Sequence, residues 1–191
     1  MRKEGKMKVQ IIYSSLSGCT RRLAEGIFDA LTVEDKELYD LAAGAPALDG
    51  DVMLLGYWVD KGGPNAAMKA FMETIEGKNK NVGVFCTLAY WADSAHAHAA
   101  LAAGAALVNE KNRVLGGYVC NGAMSQAMID RFRANGASPH SASPANEARW
   151  ALMKSHPTAA EITLAAERFN ERLCLLQTLE AQGIEYHGIN L

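Results

Sequence analysis

From Val52 to Trp58 (Val-Met-Leu-Leu-Gly-Tyr-Trp) the chain carries no charged side chain. A strand with one wet face alternates apolar and polar residues, whereas an unbroken apolar run is expected where helices cover both faces of a parallel sheet. Similar runs lie at Val9-Gln10-Ile11-Ile12-Tyr13, Val82-Gly83-Val84-Phe85-Cys86 and Val114 to Cys120, with a weaker one near Glu37-Leu38-Tyr39-Asp40-Leu41. Helical patterns fill the gaps. Leu23, Ile27, Phe28 and Leu31 share one face, and Asn65 can cap a helix carrying Met68, Phe71, Met72 and Ile75 that Gly77 closes. Asp93 or Ser94 caps an alanine-rich helix to about Glu110, and Met124 to Ala134 forms another. Strand and helix thus alternate at α/β spacing.

The remainder reads differently. Asn135 to Pro157 is rich in Pro, Ser and Asn around a short helical piece at Ala145 to Met153, an irregular excursion over the surface. Thr158-Ala159-Ala160-Glu161 fits a capping box, and the helix it opens ends at Gly183. Ile162, Ala166, Phe169, Leu173, Leu176 and Leu179 lie along one side of it, so it should pack back onto the sheet. With no repeat or flexible linker, the 191 residues are expected to form one domain, 1–191, with its core at about 7–134.

Composition removes several function classes. A formal net charge of -2 argues against a broad nucleic-acid footprint. No apolar run of signal-peptide length precedes Tyr13 and none reaches membrane-span length, so the expected location is cytoplasmic. Cys19, Cys86, Cys120 and Cys174 form no C-x-x-C pair, and Cys86 and Cys120 sit in apolar runs as buried thiols would. His96 and His98, at i and i+2, point to different sides of a helix and make a poor metal pair; His140, His156 and His187 stand singly. Met68, Met72, Met124 and Met128 are at helical spacing, which core packing explains, and no G-x-S-x-G elbow supports hydrolase chemistry.

The chemistry concentrates where the first strand runs into Ser15-Leu16-Ser17-Gly18-Cys19-Thr20 and a helix begins. A helix N-terminus directs unsatisfied N–H groups and the positive end of the helix dipole at whatever lies before it. Gly18 lets the backbone curl, and Ser15, Ser17 and Thr20 each bring a hydroxyl donor. The lysine of a Walker loop is missing and no G-x-G-x-x-G follows the strand, so the loop suits a single terminal phosphate. A helix cap without any ligand is the plainer alternative.

Ser15 to Thr20 resembles the T/S-x-T/S-G-x-T phosphate loop of flavodoxins, in the position after strand one. Trp58 and Asp60, within Tyr57-Trp58-Val59-Asp60, resemble that family's ring-stacking tryptophan and the acid following it. Thr87-Leu88-Ala89-Tyr90-Trp91-Ala92-Asp93 after strand four sets two aromatics at a loop tip, where stacking on a flat ring would account for them. All three stretches fall at carboxyl ends of expected parallel strands, where open α/β sheets bind ligands. The resemblance spans roughly Met7 to Phe132. It implies a three-layer α/β/α fold with a five-stranded parallel sheet in the order 2-1-3-4-5. It also implies non-covalent FMN, with phosphate on Ser15–Thr20 and ring between the Trp58 and Tyr90–Trp91 loops.

The implied function is electron carriage to or from a partner redox enzyme. Asp60 is then a candidate for lowering the potential of the ring. Two departures stand out. Flavodoxins commonly have glycine after the tryptophan, where the peptide flips to meet reduced flavin; here it is Val59, which resists positive φ, so Gly62 or Gly63 would have to turn instead. Small flavodoxins are also strongly acidic, and this chain is near neutrality. Arg21 and Arg22 in the first helical turn are read as solvated, facing away, and Asn121-Gly122-Ala123-Met124 after strand five, together with Asn135 to Pro157, is expected on the ligand edge or next to it. The loops at Gly56–Gly62 and Tyr118–Gly122 are similar to those of flavodoxin-like proteins encoded beside bilirubin reductase in gut bacteria, which implies bilirubin reductase as the partner. Two other readings stay open: an FMN-dependent NAD(P)H reductase of a small molecule, and a cofactor-free binding partner of an oxidoreductase.

Overall fold

A computed structural model describes residues 7–75, 77–110, 112–135 and 141–191. His140 and part of the expected excursion lie outside the described residues. The strands are β1 Lys8–Tyr13, β2 Asp35–Asp40, β3 Val52–Asp60, β4 Gly63–Pro64, β5 Asn81–Leu88 and β6 Arg113–Asn121. The helices are α1 Cys19–Ala30, α2 Ala66–Thr74, α3 Ala95–Val108, α4 Gln126–Ala134, α5 Pro144–Met153 and α6 Ala159–Ala181.

Five parallel strands run in the order β2-β1-β3-β5-β6, the flavodoxin-like arrangement. The sheet has a sixth member that hydropathy does not reveal. β4 is two residues long and pairs antiparallel with the end of β3, Val59 opposite Pro64 and Asp60 opposite Gly63. The intervening Lys61 and Gly62 both have positive φ, 49° and 82°, as a type I′ hairpin turn requires.

The unbroken apolar runs have the cause expected of them. Ile11, Leu54 and Phe85 enter one core with Leu23 and Ile27 of α1 and Phe169 and Leu173 of α6. Their neighbours in sequence, Ile12, Met53, Leu55 and Val84, point the other way into a second core with Met68 and Met72 of α2 and Leu101 of α3. Each face of the sheet is therefore dry. Phe85 and Phe169 meet edge to face at 6.1 Å, which fastens the last helix to the central sheet.

Helix boundaries follow their caps. Ser94, Ser125, Ser143 and Thr158 each accept a hydrogen bond from a backbone N–H of the turn they open, and Thr158 with Glu161 completes a capping box. α4 accordingly starts at Gln126, two residues later than its apolar pattern alone suggests. Among the described residues no helix is long and apolar enough to cross a membrane.

Candidate functional site

The carboxyl ends of β1, β3, β5 and β6 open on one cleft of about 1040 Å³. Its first wall is Leu16 and Ser17, in the loop between β1 and α1. Gly18 stands at the N-cap of α1 with φ 88°, a left-handed conformation that glycine adopts without strain, and a Cβ there would meet nothing within 4 Å. No side chain caps this turn, nor that of α2, where Asn65 stands at the N-cap as expected but makes no capping hydrogen bond, in contrast to the four capped helices above. Its first N–H groups and the positive end of the dipole are thus not satisfied by a capping side chain. Leu16 and Ser17 line the cleft beside it.

The hydroxyls of the loop are not equivalent. Ser17 is exposed, while the Ser15 Oγ is buried with no hydrogen-bond partner. Thr20 is buried and its Oγ1 lies 2.9 Å from the Thr87 Oγ1, across from β5. Two hydroxyls sharing one hydrogen bond retain one proton between them, so Thr20 and Thr87 together offer a single donor. Ser14 Oγ accepts from Asn65 Nδ2 at 2.9 Å, which ties the loop to the start of α2.

The second wall comes from β3 and its hairpin. Trp58, Val59, Asp60, Lys61 and Gly62 line the cleft. Tyr57 does not: its ring is fully buried on the α3 side, and its hydroxyl donates to the Ala100 carbonyl at 2.9 Å. Burial raises its proton affinity far above the ordinary phenol range, and burial likewise pushes the Cys86 thiol in the adjacent strand up to about 12.

The third wall is Thr87-Leu88-Ala89-Tyr90. Trp91 and Asp93 are exposed and lie outside the lining, although the sequence groups them with Tyr90. The Ala92 N–H donates to Asn121 Oδ1 at 2.7 Å, holding this loop against the end of β6. Gly122 lies between Thr87 and Cys19, with room for a Cβ only at 3.2–3.3 Å from theirs. The buried Cys19 is turned from the cleft, its Sγ accepting from the Ala123 N–H at 3.1 Å.

A fourth wall comes from the segments expected on or beside the ligand edge, Asn121–Met124 and Asn135–Pro157, and from the body of α4, which was not expected there. Met124, Ser125, Met128 and Phe132 line the cleft from the start and body of α4, and Arg149 reaches it from α5. The Met124 and Met128 spacing equally suits a buried core, so periodicity could not distinguish a cleft wall. His96, dismissed as a metal ligand, also lines the cleft, edge-on to Tyr90 at 6.4 Å. Among the described residues no group of three or more His, Cys, Asp or Glu side chains is placed to hold a metal ion. Arg21 is exposed and engaged, its Nη2 lying 3.0 Å from Asp40 Oδ2 at the end of β2.

A family model described as the flavodoxin domain matches residues 10–170. The flavodoxin-like domain-containing protein BilS of Clostridioides difficile (strain CD3) is 28% identical over 131 residues, which is 66% of this chain and 73% of BilS. A flavodoxin from the domain Archaea superposes with a TM-score of 0.57 at 14% identity, covering 90% of this chain and 99% of that one. A Fusobacterium nucleatum flavodoxin bound to flavin mononucleotide gives 0.52 at 16% identity, covering 90% and 97%. At such identities the structural likeness concerns the fold, and its direction agrees with the strand order above.

Proposed function

The chain belongs to the flavodoxin-domain family, and on that footing we propose that it binds FMN non-covalently and carries electrons to or from a partner redox enzyme. The observation that carries the reading is the first turn of α1, left without a capping side chain behind a left-handed Gly18 and directly following the cleft-lining Leu16 and Ser17. The residues present fit a phosphate monoester. Ser17 is exposed on the cleft, the Thr20–Thr87 pair has one proton to give, and the buried Ser15 hydroxyl has no partner inside the protein. An anion would complete all of these together with the helix dipole.

Trp58 near the end of β3 and Tyr90 in the loop after β5 supply aromatic surface for a flat ring. Bound there, FMN supplies the electron-transfer chemistry, and the polypeptide sets its surroundings. Asp60 places a negative charge on the wall beside that slot, which opposes further negative charge nearby. The bilirubin reductase pairing implied by the loop resemblance makes that enzyme the partner in this proposal, and the similarity to BilS is consistent with a shared family background.

Titrating FMN into flavin-free protein tests the reading. Saturable quenching of flavin fluorescence is expected, and Ser17→Ala should weaken binding by about 1–3 kcal/mol through loss of a hydroxyl donor to an anion, with thermal stability unchanged. Absence of binding, or full affinity in the variant, refutes the phosphate site.

A further inference from the structure

The fourth wall has a chemistry that the phosphate loop and the ring slot leave unused. α5 is fixed firmly beside the cleft. Trp150 is 2% exposed and stacks on Phe132 at 6.4 Å with an interplanar angle of 18°. Arg133 of α4 forms two hydrogen bonds to the Glu147 carboxylate, at 2.7 and 2.6 Å. The residue next to this anchor, Arg149, is thereby held on the cleft wall with its guanidinium carbon 5.0 Å from the centre of the Tyr90 ring. Its Nε is buried without a hydrogen-bond partner, and among the described residues no carboxylate pairs with it. A guanidinium on the cleft wall without a carboxylate partner can take an anion through its outer N–H groups.

The surroundings select the kind of anion. Among the described residues the wall has two cations, Lys61 and Arg149, against one acid, Asp60, although the whole chain has a net charge of -2. The same cleft lining carries apolar, polarisable surface from Met124, Met128 and Phe132, with Ser125 among them. The cleft, at about 1040 Å³, is also at the top of the roughly 300–1,000 Å³ typical of small-molecule sites. That leaves space beside a ring on Trp58 and Tyr90.

We propose that Arg149, with Met124, Met128 and Phe132, forms a second binding site in this cleft, for a small planar apolar molecule carrying a carboxylate. The guanidinium takes the carboxylate through paired N–H donors, and the methionines and Phe132 take the flat apolar body. A ligand seated there lies next to the ring slot, which gives the domain direct contact with a small-molecule redox partner as well as a protein. The proposal rests on the FMN reading only for the position of its neighbour.

Benzoate is a suitable probe, with benzamide as its uncharged counterpart. Titrated into FMN-loaded protein, benzoate should produce a saturable change in the flavin absorbance spectrum, and benzamide should bind at least about tenfold more weakly. Arg149→Gln should abolish the preference for benzoate while leaving FMN affinity unchanged; Arg149→Lys should restore part of it. Met128→Gln, which leaves the cation in place, should weaken both probes together. Equal binding of the two probes, no spectral change, or an undiminished preference in Arg149→Gln overturns the proposal. So does an equal loss of FMN affinity in Arg149→Gln, because the cation then belongs to the flavin. Should the protein retain no flavin at all, the FMN reading fails separately, and calorimetry of benzoate against parent and Arg149→Gln protein decides the second site by the same criterion.

Discussion

The hydroxyl pair Thr20–Thr87 allows binding and folding to be separated by substitution. Both side chains are buried, at 1% and 3% exposure, and their oxygens are 2.9 Å apart. Replacing each by valine keeps the shape and deletes the hydroxyl. Thr87→Val strands the Thr20 oxygen in the interior, a desolvation penalty of about 1–3 kcal/mol. Thr20→Val is milder, about 0.5–1.5 kcal/mol, because Thr87 lines the cleft and water can replace its lost partner. The double variant strands nothing, so its stability should return close to the parent value. Thermal melts read this directly, since each kcal/mol corresponds to about 2–4 °C for a chain of this size. FMN affinity should behave otherwise. The pair has one proton to offer an anion, and removing both hydroxyls should cost about 1.5–3 kcal/mol of binding, a tenfold to hundredfold loss, in a protein that is nearly as stable as before. Additive destabilisation in the double variant would show that the two oxygens do not depend on each other. Undiminished FMN affinity in it would remove this pair from the phosphate site.

Two further perturbations test the frame around the cleft. Gly104→Ala would set a Cβ 2.3 Å from the Tyr57 hydroxyl and 2.8 Å from its Cζ, so it should destabilise by about 1–3 kcal/mol in denaturant melts, and Tyr57→Phe should relieve part of that loss; full tolerance would contradict the packing. Burial raises the proton affinity of the Glu161 carboxyl, but the Thr158 N–H, His156 and the Thr158 hydroxyl outweigh it and hold the group below its usual range. Its stabilising contribution is therefore complete above the ordinary carboxylate range and is lost as pH falls through the lowered value, so the melting-temperature gap between parent and Glu161→Gln should shrink on acidification; a gap independent of pH would contradict that assignment.

What the sequence made legible follows the physics of each signal. The parallel sheet was readable because strands such as Val52–Trp58 are dry on both faces, and that leaves an unbroken apolar run. The turn before α1 was readable because Gly18, left-handed at φ 88°, serves a local backbone need. Tyr57 was not readable as core, since alternation carries no information inside an unbroken run; only the structure shows it pointing to Ala100 and Trp58 to the cleft. The α4–α5 wall was readable only as segments on or beside the ligand edge, Asn121–Met124 and Asn135–Pro157, and not residue by residue. Met124 and Met128 at helical spacing fit a core or a cleft equally, and Arg149 meets Tyr90 across 59 positions of chain, a tertiary contact with no local trace.

The turn after Trp58 shows how a departure from a family pattern is absorbed. Val59 is β-branched and strongly disfavours positive φ, so the backbone cannot reverse there as it could at a glycine. The reversal is moved along the chain to Lys61 and Gly62, whose positive φ values build the hairpin, and Val59 and Asp60 become ladder residues opposite Pro64 and Gly63. A peptide held in a ladder cannot rotate without giving up its pairing, so the segment that lines the cleft is stiff, and the freedom of the loop is confined to its tip. The backbone that carries Trp58 and Asp60 is thus paired on the cleft wall. The wall contributes through prior organisation, where a glycine in place of Val59 would contribute through movement, and the entropy of ordering this segment has already been met in folding.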